Sequence, residues 1–170
     1  MNPHQPSIEI RKAIFSDIAS IQEIAEITWP VAYGKIISSK QIRYMLDNKY
    51  DADVIEKEMF LGDTYLMAEL DGTSIGFACV KARENGVYKL DKLYVNPTKQ
   101  QRGTGKALLQ AVINLILEFK GKELILQVNR KNPSVDFYKK MGFEVVRQED
   151  FNIGNGYFMN DYVMSLQLSN

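Results

Sequence analysis

The sequence predicts one α/β domain of the α+β kind, built on a mixed and mostly antiparallel sheet with a single parallel strand pair at its centre. Three observations carry that reading. Asp71-Gly72 and Asn85-Gly86 are the strongest short-range hairpin signals in the chain, and apolar, β-branched runs flank each one. Residues 64–70, 74–83 and 87–95 therefore form an antiparallel meander. Next comes a helical stretch whose apolar face is Ala107, Leu108, Ala111, Val112, Leu115, Ile116 and Phe119. A short apolar run, residues 124–128, follows that helix. A strand reached through a crossover helix lies parallel to the one before it, by a right-handed connection.

The remaining elements follow in order. Residues 8–11 alternate apolar and polar, as a half-buried strand does. Ser16-Asp17 offer cap chemistry ahead of Ile18, Ile21, Ile24, Ala25 and Ile27, and that helix should end at Trp29-Pro30, because a residue before proline is pushed out of the helical region. Ser38-Ser39 open a helix carrying Ile42, Met45 and Leu46. Asp51-Ala52-Asp53 open a shorter one with Val54, Ile55, Met59 and Phe60 as its apolar members. Gly121 supplies the stop after residues 107–119. Residues 133–141 read as a short helix, 142–148 as a strand and 157–168 as a last strand, which offers an edge for a homodimer.

Composition narrows the function. The chain has 170 residues, 45% hydrophobic and 25% charged, with a formal net charge of zero. One domain with a sizeable core is expected, without the basic footprint of a nucleic-acid binder or a polybasic membrane surface. Cys79 and His4 are the single cysteine and histidine, so no intramolecular disulfide, Cys/His zinc cluster, Ser-His triad or Cys-His triad is expected. No apolar run approaches membrane-spanning length, and residues 1–6 lack the regions of a signal peptide, which makes the cytoplasm the expected location.

The informative stretch begins at Leu93-Tyr94-Val95-Asn96-Pro97 and continues through Gln100-Gln101-Arg102-Gly103-Thr104-Gly105-Lys106 into the long helix. Glycines admit a close ligand, unpaired amides and the dipole favour an anion, and Arg102 and Lys106 add positive charge. A P-loop is excluded, because Gln100 stands at its first glycine and Ala107 at its magnesium-binding hydroxyl. A dinucleotide loop would need a third glycine. Gln-x-x-Gly-x-Gly after a Leu-Tyr-Val-x-Pro strand end resembles the pyrophosphate motif of the GNAT acetyltransferases. A second segment, from Asn129 through Asn132-Pro133 to Phe137-Tyr138 and Gly142-Phe143, resembles the family's other diagnostic stretch.

The resemblance implies the GNAT acyl-CoA N-acyltransferase fold, a mixed sheet whose central parallel strands splay, with helices on both faces. It implies acetyl-CoA as cofactor and an amine as acceptor. Leu93, Tyr94 and Val95 would line the pantetheine arm, Gln100, Gln101, Arg102, Gly103, Thr104, Gly105 and Lys106 the pyrophosphate, and Asn129 and Asn132 would add contacts to the arm. Tyr138 would lie beside the thioester sulfur and protonate the leaving thiolate. Trp29, Tyr33 and the Tyr157-x-x-x-Asp161-Tyr162 strand look like the polyamine and small-amine branch of the family.

Direct attack by an amine also needs a proton acceptor, and the residues themselves suggest two candidates. Asp91 lies opposite in face to Lys92 by strand alternation; it either reaches the cleft or pairs with a lysine at the surface. Asp161 either recognises a cationic amine and relays its proton or is a solvated charge on an edge strand. Trp29 and Tyr33 form either an aromatic wall for the acceptor or part of the core. The expected function is transfer of acetyl to a primary amine, on a small molecule such as a polyamine or on a peptide; the alternative is a CoA-binding domain without turnover.

Overall fold

The computed structural model describes residues 7–99 and 102–168. Among these, seven strands form one sheet in the order β1-β2-β3-β4-β5-β7-β6: β1 (Ile8–Lys12), β2 (Thr64–Leu70), β3 (Thr73–Ala82), β4 (Val87–Val95), β5 (Glu123–Asn129), β6 (Glu144–Gly154) and β7 (Tyr157–Gln167). The helices are α1 (Ile18–Tyr33), α2 (Ser39–Lys49), α3 (Ala52–Phe60), α4 (Thr104–Glu118) and α5 (Ser134–Lys140). Both predicted turns form: Asp71, Gly72, Asn85 and Gly86 all take positive φ, the demand of a tight hairpin. The β4–β5 pair is parallel and every other pair antiparallel.

Strand alternation divides the core between the two faces of the sheet. Tyr65, Met67, Phe77, Cys79 and Met159 pack under α1, α2 and α3. Leu66, Ala68, Ala78, Val80, Leu90, Leu126 and Met164 pack under α4 and α5, against Leu108, Leu109, Val112, Ile116, Val135 and Tyr138.

Several expectations need correcting. Helix α1 does not end at Trp29-Pro30 but runs on to Tyr33. A proline inside a helix costs about 3 kcal/mol; continuing the helix places Trp29 and Tyr33 in the core with ring centroids 4.5 Å apart, and burying two aromatics at about 25 cal/mol per Å² outweighs that cost. Asp17 does not cap α1 through its side chain; it accepts from Ile14 N–H at 2.8 Å and takes the Arg11 guanidinium in a bidentate pair. Phe60 and Phe119 are exposed at 81% and 62%, and Leu109 fills the core face of α4 instead. The 157–168 strand is not at the edge, since β7 lies between β5 and β6 and β6 closes that side of the sheet.

Gly121 acts by size. Lys120 takes the left-handed conformation, while a Cβ on Gly121 would sit 2.2 Å from Ile116 Cγ2 and 2.9 Å from the Tyr88 ring. Gly121→Ala is therefore expected to destabilise the fold by about 1–3 kcal/mol, as overpacking does, read as a lowered urea midpoint. A midpoint unchanged from the native chain would refute the close approach.

Candidate active site

The site begins with a break in the sheet. Strands β4 and β5 pair only from Val87 opposite Glu123 to Leu90 opposite Leu126. At that point the β3–β4 register skips: Cys79 opposes Lys92 and Val80 opposes Leu90, which leaves Asp91 as an extra residue. Such a bulge bends a strand and re-aims its side chains. Tyr88 and Leu90 before it and Leu93 and Val95 after it all pack on the α4 side of the sheet, a parity that one inserted residue permits. Beyond Leu90, β4 stays with β3 while β5 stays with β7, and a gap opens between them.

Backbone groups line that gap. Asn96 donates its N–H to Ile75 on β3 at 2.7 Å. By antiparallel alternation Tyr94 also turns its backbone toward β3, and Leu93 and Val95 turn theirs toward the gap. Buried N–H and C=O groups require partners, and an extended ligand bearing amides has the donors and acceptors to provide them. The gap belongs to a cavity of about 680 Å³ that is also lined by Arg102, Gly103, Thr104, Gly105, Lys106, Asn132, Phe137 and Tyr138. Gly103 caps α4 at φ +88° with open space where a Cβ would stand, so the chain enters the helix without shielding its first amides. Asn132 Oδ1 accepts from Ser134 N–H at 2.8 Å, which ties it to the start of α5.

A smaller pocket, about 80 Å³, lies next to the first and shares Tyr33, Leu90, Asp91, Lys92, Tyr94 and Gln127 with it. Trp29, Lys49, Tyr50, Asn129, Phe151, Met159 and Asp161 are among the residues that complete it. Trp29 is 3% exposed and donates to the Tyr50 hydroxyl at 3.3 Å, so it is both a core residue and a pocket wall. Tyr33 and Tyr94 share a hydroxyl contact of 3.0 Å. Asn129, expected on the cofactor arm, lines this second pocket instead, with its Oδ1 accepting from Lys131 N–H at 2.9 Å.

The two candidate proton acceptors occupy opposite electrostatic settings. The bulge brings Asp91 to the same side as Lys92, at 3.0 Å, rather than opposite it, and Lys89 and Lys81 stand at 3.7 and 3.8 Å. Burial acts to raise the Asp91 pKa, but Lys92, Lys49 and Lys81 together hold the carboxyl well below the usual range. Lys92, 4% exposed, also meets Glu58 at 3.2 Å and donates to the Tyr65 hydroxyl at 2.8 Å. Glu58, Cys79 and Asp91 bring three ligand-type atoms within 4.8 Å, but the lysines already hold both carboxylates and burial pushes the Cys79 thiol up to about 12. That chemistry is an ion-pair cluster.

Asp161 is the reverse case. It is 6% exposed, not a solvated edge charge, because β6 covers β7. Its Oδ1 is buried without a hydrogen-bond partner among the described residues. Burial pushes its pKa up to about 6 against the opposing fields of Lys49, Arg130 and Lys89. Tyr138, 7% exposed, is raised above the ordinary phenol value by burial and then by Tyr33. The sequence reading missed Lys49, Tyr50, Gln127 and Phe151. Only Lys49 carried a local signal, a cation at a helix end, and that signal says nothing about a pocket. Gln100 and Gln101 lie outside the described residues.

The raised acid has a measurable consequence for stability. Its pKa is about 6 in the fold and roughly 3.9 unfolded, so the native chain loses stability as pH rises between those values. Asp161→Asn carries no such charge. With allowance for partial solvent screening, it should melt roughly 2–4 °C higher than the native chain above pH 7, the difference vanishing below about pH 4. A lower melting temperature at pH 8 would contradict the unpartnered carboxylate.

Comparison with known proteins agrees with this geometry. The family described as acetyltransferase (GNAT) domain matches residues 35–166. A spermidine N(1)-acetyltransferase of Thermoplasma acidophilum is 31% identical over 145 residues, 82% of this chain and 89% of that protein. The crystal structure of the PaiA N-acetyltransferase of Thermoplasma acidophilum, in complex with coenzyme A, is similar with a TM-score of 0.81 and 29% identity, covering 95% of this chain and 99% of that one. The fold is shared with YncA of Salmonella typhimurium, solved with its cofactor acetyl-CoA, at a TM-score of 0.68 and 22% identity over 95% and 94% of the chains. With the parted strands and the glycine-capped helix in place, this chain belongs to the GNAT acetyltransferases and draws its acetyl group from acetyl-CoA.

Proposed function

We propose that this enzyme acetylates the primary amine of a small molecule by direct transfer within a ternary complex, with Asp161 as proton acceptor and Tyr138 as proton donor. The observation that carries the proposal is the buried, unpartnered Oδ1 of Asp161 in the pocket adjoining the gap. A general base works best with a pKa near the working pH. Asp161, pushed up to about 6, meets that demand; Asp91, ionised among lysines, has little affinity for a proton. Asp91 is better read as holding Lys92 and the bulge in place than as the base first suggested for it.

Acetyl-CoA, when bound, supplies the thioester carbonyl that the amine attacks. The chain's own groups do the rest. Gly103, Gly105 and Lys106 offer amides and charge at the start of α4 for the pyrophosphate, together with Arg102. The gap-facing backbone of Leu93 and Val95 aligns the arm as an added strand would. Trp29, Tyr33 and Tyr94 wall the acceptor pocket and hold the amine in line, the proximity on which a reaction without a covalent enzyme step depends. Asp161 takes the amine proton. Tyr138 keeps its own proton at neutral pH, being shifted further upward, and delivers it to the sulfur. The likeness to a relative named for spermidine supports counting polyamines among the candidate acceptors.

Tyr138→Phe should lower kcat by about 100-fold or more with CoA affinity within about twofold of native, measured by thiol release and calorimetry. Unchanged kcat would remove Tyr138 from the donor role. The kcat–pH profile should rise through an acid limb near pH 6, because only the ionised Asp161 accepts a proton. Asp161→Asn should abolish that limb; a variant that keeps it would place the base elsewhere.

A further inference from the structure

The acceptor pocket also contains a cation that acetyl transfer does not require. Four lysines (Lys49, Lys81, Lys89 and Lys92) and four carboxylates (Glu58, Asp63, Asp91 and Asp161) surround the pocket and the ion-pair cluster beside it. Lys92 is engaged by Asp91 and Glu58, and Lys81 by Glu58. Lys89 donates to Gln127 Oε1 at 3.3 Å and stands 3.7 Å from Asp91. Lys49 differs. It is the last residue of α2, lines the pocket, and has no ion-pair partner among the described residues. Its charge still acts on Asp161, Asp91 and Lys89. A helix C-terminus favours a cation there, which accounts for a lysine at that position but not for its place in the lining of the pocket that holds Asp161.

We infer that the acceptor is a small zwitterion: its amine is received by Asp161, and a carboxylate carried on the same molecule pairs with Lys49. This rests on the reading of the smaller pocket as the acceptor site. A diamine or polyamine brings a second ammonium into a pocket whose one unengaged anion among the described residues already holds the reacting amine. That second charge would then sit against Lys49 and Lys89, and like charges in a half-buried site repel with little screening. An amino acid inverts the arrangement, since each of its charges meets the opposite sign. The volume of about 80 Å³ suits an amine head on a short chain rather than a long polycation.

The test compares kcat/KM for unbranched amino acids of two to six carbons with the monoamine and the diamine of the same length, and with spermidine, in the native enzyme and in Lys49→Gln and Lys49→Glu. The native enzyme should prefer the amino acid over its matched diamine by about tenfold or more, the ratio expected of one opposed charge contact. Lys49→Gln should bring the matched pair to within about threefold, and Lys49→Glu should favour the diamine, with the KM for acetyl-CoA unchanged in both. A native preference for diamines or spermidine would overturn the zwitterion and leave the acceptor pocket standing, as would an order of preference indifferent to both substitutions. Binding of CoA with no amine in the panel acetylated would overturn the acceptor reading of the pocket, and this inference with it.

Discussion

The parting of β4 from β5 after Leu90 and Leu126 is the constraint on which the site depends. Two neighbouring parallel strands would ordinarily pair along their full length, because each unpaired buried backbone group costs free energy. Here separate attachments outweigh that pull. The residues of β4 beyond the bulge remain paired to β3 up to Val95, and β5 is paired to β7 up to Asn129 opposite Asp161. The extra residue at Asp91 turns β4 away while its apolar positions still reach the α4 side. The gap is thus a by-product of two well-paired half-sheets, and its exposed amides suit a ligand that is itself a chain of amides.

The buried charges around the gap have distinct roles. The Asp91, Lys92, Glu58 and Lys81 cluster is dense, mutually paired and finished by the Tyr65 hydroxyl. Buried ion pairs contribute little net stability against their desolvation, but removing one member leaves an uncompensated charge. Such a cluster fixes the bulge more than it strengthens the fold. Asp161 lies on the same pocket without a partner for Oδ1 among the described residues. Two carboxylates on one pocket are therefore driven in opposite directions, one locked as an anion and the other poised to exchange a proton. That separation is how acid and base roles are divided among chemically identical groups.

Local chemistry made much of this architecture legible in the sequence. The paired hairpin turns, the strands on either side of them and the Gly103 entry to α4 each depend on a few adjacent residues whose conformational demands are strong. The parallel β4–β5 pair followed from chain order and handedness. What escaped was set by contacts distant in sequence. Pro30 is a helix stop by local rules, yet the packing of Trp29 and Tyr33 overrides it. Strand alternation put Asp91 and Lys92 on opposite faces, and no residue type announces the bulge that unites them. Asp161 reads as a solvated charge until β6 is known to cover its strand. Lys49 and Phe151 enter the pocket from elements that the motifs do not touch.

The chain also separates what binds the donor from what shapes the acceptor site. The cavity proposed for the donor is lined by β4, α4, β5 and α5, consecutive in sequence, together with Thr28, Ala32 and Tyr33 of α1. The far wall of the acceptor pocket comes from α1, the end of α2, and the β6–β7 hairpin. That hairpin is fastened to α2 by side chains: Gln41 donates to the Phe158 carbonyl at 2.7 Å, and Tyr44 donates to the Ile153 carbonyl at 2.8 Å and packs on Tyr157. Arg130 joins it to the end of β5, through the Asp161 carbonyl at 3.2 Å and the Asp150 carboxylate at 2.8 Å. The position of Asp161 and the approach of Lys49 are therefore consequences of one docking, α2 against the hairpin. On the proposed reading, a substitution along that seam alters which amine is accepted while leaving the pyrophosphate cradle intact, because no residue of α2 or of the hairpin lines the larger cavity.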